Sequence, residues 1–261
     1  MEKKTYPTVK DAIFLCLLYI GIYYAMVIVL AFIMGPLGIG YGSQIYMRGQ
    51  FFLFILSDVI VIYFAYKKSN KKFNEIIKFS NVSLHVWLLM IVYISGFTVL
   101  SWIIIGIWTG LQPLPQSILL YAQILIVYIQ EHFMGSILFM GLIPAFTDEI
   151  FFRGIILNGF KENYSRKKSI ILNAALNGAL YGVLVFVPLV CVIKFLFGMI
   201  SAWIFLKTKS IIPSIFINLF YRMAGIILIM LMMKSDVVIP IPSIAGQLTL
   251  SSWLAAIVVI F

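Results

Sequence analysis

Seven consecutive residues, Asp148-Glu149-Ile150-Phe151-Phe152-Arg153-Gly154, carry the densest chemistry in the chain. They place two adjacent carboxylates and a guanidinium in a run, Phe133 to Leu157, that is otherwise almost wholly apolar. An ionised side chain at the centre of a membrane helix costs about 3 kcal/mol on insertion scales, so three of them demand partners. Glu149 and Arg153 are four apart and share a helix face, where they can pair. Two further polar stripes have the same spacing: Asn173, Asn177 and Tyr181, and then Asn218 and Arg222. Asp148 and Glu149 balance Arg153 and Arg222, and a near-neutral, mutually paired cluster is what a low-dielectric site tolerates best. Two readings stand open on these residues alone. Either the three stripes line a functional cavity, or they only hold three helices together through interhelical hydrogen bonds.

The elements that must position these residues are membrane helices. The chain has 261 residues, of which 63% are hydrophobic and 11% charged. Its apolar runs are about 20 residues long rather than alternating segments of ten, which gives an all-α polytopic membrane protein and excludes a soluble domain or a β-barrel. About eight transmembrane helices are expected, near 12–34, 51–66, 86–108, 132–157, 170–187, 188–206, 211–233 and 248–261. Ser117–Gln130 is apolar but short, and reads as an interfacial or half-inserted helix. The chain reads as one membrane domain, 1–261. The Ala12–Met34 run is too long for a signal-peptide core, so no cleavable signal is expected. A span that stops at Phe261 is odd and suggests a truncated chain.

The basic residues orient the bundle. The net charge is +10, and 14 of the 19 Lys and Arg fall in the N-terminus and in the loops after spans two, four and six. The positive-inside rule then puts the N-terminus in the cytoplasm of a multi-pass cell-membrane protein. Charge in short loops points to anionic lipids of the bilayer as partners rather than to nucleic acid. Most of the polar cluster then lies in the cytoplasmic half of the membrane. The only cysteines, Cys16 and Cys191, sit in apolar runs and imply no disulfide. The only histidines are His85 and His132. His132 is 17 residues from Glu149, about 25 Å along a helix, and cannot share its site. His85 reads as interfacial. With no histidine or cysteine in the cluster, neither a metal nor another cofactor is expected. Asp58 in span two reads as a proton or cation site, or as a lone acid that is capped or faces the bundle. Lys194 is expected near the outer end of span six, snorkelling to the interface.

The segment Asp148–Gly154 resembles the Glu-Glu-x-x-x-Arg motif, commonly EExxFRG, of the CPBP or Abi family of CAAX proteases and bacteriocin-processing enzymes. The similarity covers about residues 131–225. Asn177-Gly178-Ala179-Leu180-Tyr181 stands in the register of the family's FxxxH. Phe195-Leu196-Phe197-Gly198 and Lys207-Thr208-Lys209-Ser210-Ile211-Ile212-Pro213 follow in order, and Asn218-Leu219-Phe220-Tyr221-Arg222 stands in the register of HxxxN. The resemblance implies a helical intramembrane endopeptidase, in which the first Glu activates water while the histidines and the Asn stabilise the oxyanion. Carried over residue by residue, Asp148 replaces that Glu, Tyr181 and Asn218 replace the two histidines, and Arg222 replaces the final Asn. Only Glu149 and Arg153 are retained. An arginine paired to a carboxylate weakens it as a base. The expectation is therefore a family fold with peptidase activity lost or strongly reduced, working as a membrane scaffold or regulator of a membrane or cell-envelope protein. The alternatives are an active endopeptidase using Asp148 or Glu149 with Tyr181 and Asn218 as donors, and a transporter or bacteriocin-immunity protein resting on the buried charges.

Overall fold

The computed structural model describes residues 5–40, 43–111, 116–185 and 187–234. Among them every regular element is a helix. These are α1 (Val9–Met34), α2 (Gln44–Ser69), a short α3 (Phe73–Ile76), α4 (Leu84–Leu111), α5 (Gln116–Glu131), α6 (Phe133–Asn163), α7 (Arg166–Val185), α8 (Pro188–Thr208) and α9 (Ile212–Lys234). Local chemistry sets the ends. Thr8 caps α1 in a reciprocal box with Asp11, in which the Thr8 amide donates to Asp11 Oδ2 at 2.9 Å. Ser43 caps α2, and Lys67 and Lys68 in the last turn of that helix face its negative end. Asn70 and Lys209 adopt left-handed φ values of 52° and 53° and end α2 and α8.

Among the described residues five helices have the length and apolarity to cross a bilayer: Val9–Leu37, Gln44–Ser69, Leu84–Trp108, Phe133–Asn163 and Pro188–Thr208. Within α9, Ile212–Leu228 is a shorter apolar stretch. The expected span five corresponds to α7, which falls outside this set because Arg166, Lys167, Lys168, Asn173 and Asn177 dilute its apolarity. The expected span at 248–261 lies outside the described residues. α2 starts at Gln44, not near Phe51, because the Ser43 cap lets the helix begin inside the segment read as a loop. The short run after the Pro-containing loop is a 16-residue helix, α5, about 24 Å long and below the thickness of the hydrocarbon core.

α6 is the central helix and touches α2, α7, α8 and α9. Every residue from 151 to 160 is buried, as in a helix packed on all sides. The outer helices instead expose large apolar side chains, such as Phe32 on α1, Val92 on α4 and Trp203 on α8, in keeping with a lipid-facing surface. α7 and α8 form the tightest pair. A Cβ added at Gly178 would lie 2.5 Å from the Cys191 carbonyl oxygen, and one at Gly198 3.0 Å from Ala174 Cα. Small residues allow this approach, and packing with interhelical hydrogen bonds holds it in lipid.

The basic segments meet at one end of the bundle. The Thr5 amide donates to Asn163 Oδ1 at 3.0 Å, Lys68 pairs with Asp11, and Lys71 pairs with Glu162 at 2.7 Å. The Ser80 hydroxyl donates to the Thr208 carbonyl at 2.7 Å, and the Ile211 amide to the Lys78 carbonyl at 3.0 Å. At the other end Gln44 and Arg48 of α2 meet Glu131 and His132.

Candidate functional site

Two carboxylates stand at the centre, side by side on α6. Glu149 is fully buried and Asp148 nearly so. Glu149 Oε1 accepts from Asn218 Nδ2 at 3.1 Å, and Oε2 accepts from the Ser201 hydroxyl at 2.8 Å. Arg153 Nε lies 3.1 Å from the same Oε2, an ion pair outside hydrogen-bond alignment. Asp148 Oδ1 accepts from the Tyr181 hydroxyl at 2.5 Å, and Oδ2 from Arg222 Nη2 at 2.6 Å. Arg222 Nε also donates to Asn218 Oδ1 at 3.0 Å. Asn218 therefore gives to one carboxylate and receives from the other's arginine, joining the two ion pairs into one network.

The backbone of α6 contributes as well. Two stretches of this helix, Ile137–Leu142 and Ile150–Leu157, are π-helical, with Ile143–Glu149 α-helical between them. Pro144 has no amide hydrogen, so the Met140 carbonyl four residues earlier loses its usual α-helical donor. Arg222 Nη1 donates to that carbonyl at 3.3 Å. The second π-helical stretch carries Arg153, whose Nη2 reaches the Gly198 carbonyl of α8 at 3.4 Å. Wider π turns of this kind recur at functional sites.

Of the residues singled out by spacing, Asp148, Glu149, Arg153, Tyr181, Asn218 and Arg222 come together in this network. Asn173 and Asn177 are buried on the same face of α7. Asn173 Nδ2 donates to the Phe152 carbonyl at 2.7 Å, which ties α7 to α6 rather than to the carboxylates. Asn177 packs beside Gly198, and its Oδ1 is buried without a hydrogen-bond partner. The expected pairing of Arg222 with a motif carboxylate is present, and Asp148 is the one it pairs with.

Lys194 departs from expectation. It does not snorkel to an interface and is only 4% exposed. Its ammonium lies 4.8 Å from the Tyr181 ring centroid and 5.4 Å from that of Tyr221. Two ring faces offer a buried cation electrostatic attraction that lipid cannot. Asp58, at mid-helix in α2, faces the bundle and accepts from the Thr147 hydroxyl at 2.6 Å, next to Asp148. Among the described residues the buried charges are then three acids, Asp58, Asp148 and Glu149, and three bases, Arg153, Lys194 and Arg222. Ser201 and Thr147 complete the shell. Thr147 adjoins Asp148 in sequence, and Ser201 follows Gly198 by one turn, but nothing in their spacing marked either. His132 is remote from the network and lies against Arg48 and Gln44, while His85 is exposed. Among the described residues no group of three or more His, Cys, Asp or Glu side chains converges as a metal site would require.

Residues 130–224 match the family described as type II CAAX prenyl endopeptidase Rce1-like. That segment holds the whole network except Asp58. No curated protein and no solved structure matches the chain. The match coincides with the region that carries the Asp148–Gly154 motif and its partners on α7 and α9, so that this part of the all-α polytopic membrane protein is similar to the Rce1-like family.

Proposed function

We propose that this protein keeps the family scaffold without peptidase chemistry and acts by binding, as a membrane scaffold or regulator of a membrane or cell-envelope protein. One observation carries the reading: every oxygen of Asp148 and Glu149 already accepts from, or pairs with, a side chain of the protein. A general base must reach the water it deprotonates with a free acceptor lone pair, and each of these oxygens already commits at least one to the protein. The residues standing in the registers of the family's histidines, Tyr181 and Asn218, instead donate to the two carboxylates. In this reading the protein sits in the cell membrane with its N-terminus and basic loops in the cytoplasm, against anionic lipid headgroups.

The test is proteolysis by purified protein in liposomes, with a prenylated CAAX peptide and a pool of short membrane-protein segments as substrates. Wild type and an Asp148→Ala/Glu149→Ala variant are expected to give the same background cleavage. Cleavage by the wild type alone would replace this reading with an active endopeptidase that uses Tyr181 and Asn218 as donors. Crosslinking in native membranes followed by co-purification should recover a stable membrane-protein partner, and its absence would remove the scaffold role.

A further inference from the structure

A second polar site lies at the opposite end of the bundle. A cavity of about 740 Å³ opens between α2, the end of α5 and the start of α6. It is about 25 Å along α6 from Glu149, by the rise of 17 helical residues. Its polar wall holds Arg48, Glu131 and His132, and its apolar wall includes Phe52, Tyr128 and Phe139. Phe139 belongs to the first π-helical stretch of α6. Phe52 is 60% exposed on the outer face of α2, so the cavity is continuous with the lipid-facing surface.

The charges at the rim are arranged unusually. Arg48 is the lone Lys or Arg in the segment between the first two expected spans, at the end of the bundle that the basic loops avoid. Among the described residues it pairs with no carboxylate, and its Nη2 lies 3.2 Å from His132 Nε2. Glu131 lines the same cavity but is engaged by the Gln44 side-chain amide, not by Arg48. A cation and an anion thus face one cavity without neutralising each other. A guanidinium suits a phosphate, and a carboxylate with a remaining acceptor suits an ammonium. A ligand that joins phosphate and primary ammonium and carries an apolar tail matches all three features.

We infer that this cavity binds one aminophospholipid of the phosphatidylethanolamine type. Its phosphate lies on Arg48 beside His132, its ammonium on Glu131, and its chains leave along Phe52 and Phe139. The volume is within the usual range for a ligand site and accommodates the headgroup and glycerol, with the remaining chain length in the bilayer.

The experiment is native mass spectrometry of the full chain, delipidated and then offered equimolar phosphatidylethanolamine, phosphatidylglycerol and phosphatidylcholine with matched chains. Wild type is expected to retain one phosphatidylethanolamine at least fivefold over either competitor. Arg48→Gln is expected to lower that retention at least fivefold, and Glu131→Gln to abolish the preference over phosphatidylglycerol. Gly135→Leu fills the cavity and should lower retention of all three lipids. A Cβ at Gly135 meets only ordinary contacts, 3.7 Å from His132 Cβ and 3.8 Å from the Tyr128 hydroxyl, so this variant is expected to fold. Equal retention of phosphatidylethanolamine and phosphatidylglycerol by the wild type would overturn the assignment. So would unchanged phosphatidylethanolamine retention in folded Arg48→Gln or Gly135→Leu.

Discussion

At the scale of single residues, Arg222 is the most connected group in the buried network. It donates to Asp148, Asn218, Tyr181 and the Met140 carbonyl. Removing one partner of a buried pair leaves the other charge uncompensated, at a cost of about 3–5 kcal/mol. Arg222→Met should therefore lower the thermal unfolding temperature in detergent markedly, because Asp148 and the Met140 carbonyl both lose a donor. The double variant Asp148→Asn/Arg222→Met removes both charges and should recover most of that loss. A cycle in which the two losses simply add would mean that the pair is not coupled. The same cycle bears on function, since a structural ion pair can be replaced by a neutral pair and a catalytic carboxylate cannot.

At the scale of elements, the fold depends on how closely α7 and α8 approach. Gly178→Ala places a methyl group 2.5 Å from the Cys191 carbonyl oxygen, and a backbone atom cannot rotate aside. The helices must separate, at an overpacking cost of about 1–3 kcal/mol, and the loss should appear as a lower unfolding temperature and poorer monodisperse yield. Gly21→Ala on α1 is the control: its Cβ would meet nothing within 4 Å, and no loss is expected. Helical spacing made much of this layer legible in the sequence. Asp148, Glu149, Arg153, Tyr181, Asn218 and Arg222 were identifiable because polar residues four apart in apolar runs must share a buried face. Lys194, Asp58 and Ser201 were not identifiable as members of the cluster, because none has a polar residue three or four positions away on its helix. Only the choice of neighbouring helices brings them in. The link from Pro144 through the Met140 carbonyl to Arg222 escaped for a similar reason. The sequence shows which carbonyl loses its amide donor, but not which helix supplies a replacement.

At the scale of the whole molecule, the position of the loops tests the orientation. The N-terminal segment, the stretch from Lys67 to Ser80, the end of α6 and the α8–α9 turn are joined by direct contacts at one end of the bundle. The end of α5 lies at the other. In the proposed orientation, which follows the positive-inside rule, the first group faces the cytoplasm. Lys72, Lys167 and Gln130 are all exposed and serve as reporters. The native thiols interfere little, since Cys16 is buried and Cys191 half-buried. In intact cells a membrane-impermeant maleimide should label Gln130→Cys and spare Lys72→Cys and Lys167→Cys, and permeabilisation should expose both. The reverse pattern would invert the protein and put the carboxylate network nearer the outer face. Labelling of all three from one side would break the separation of the two ends. That separation is what places the aminophospholipid cavity and the buried charges at different depths, so the same three reporters decide whether the two sites can act independently.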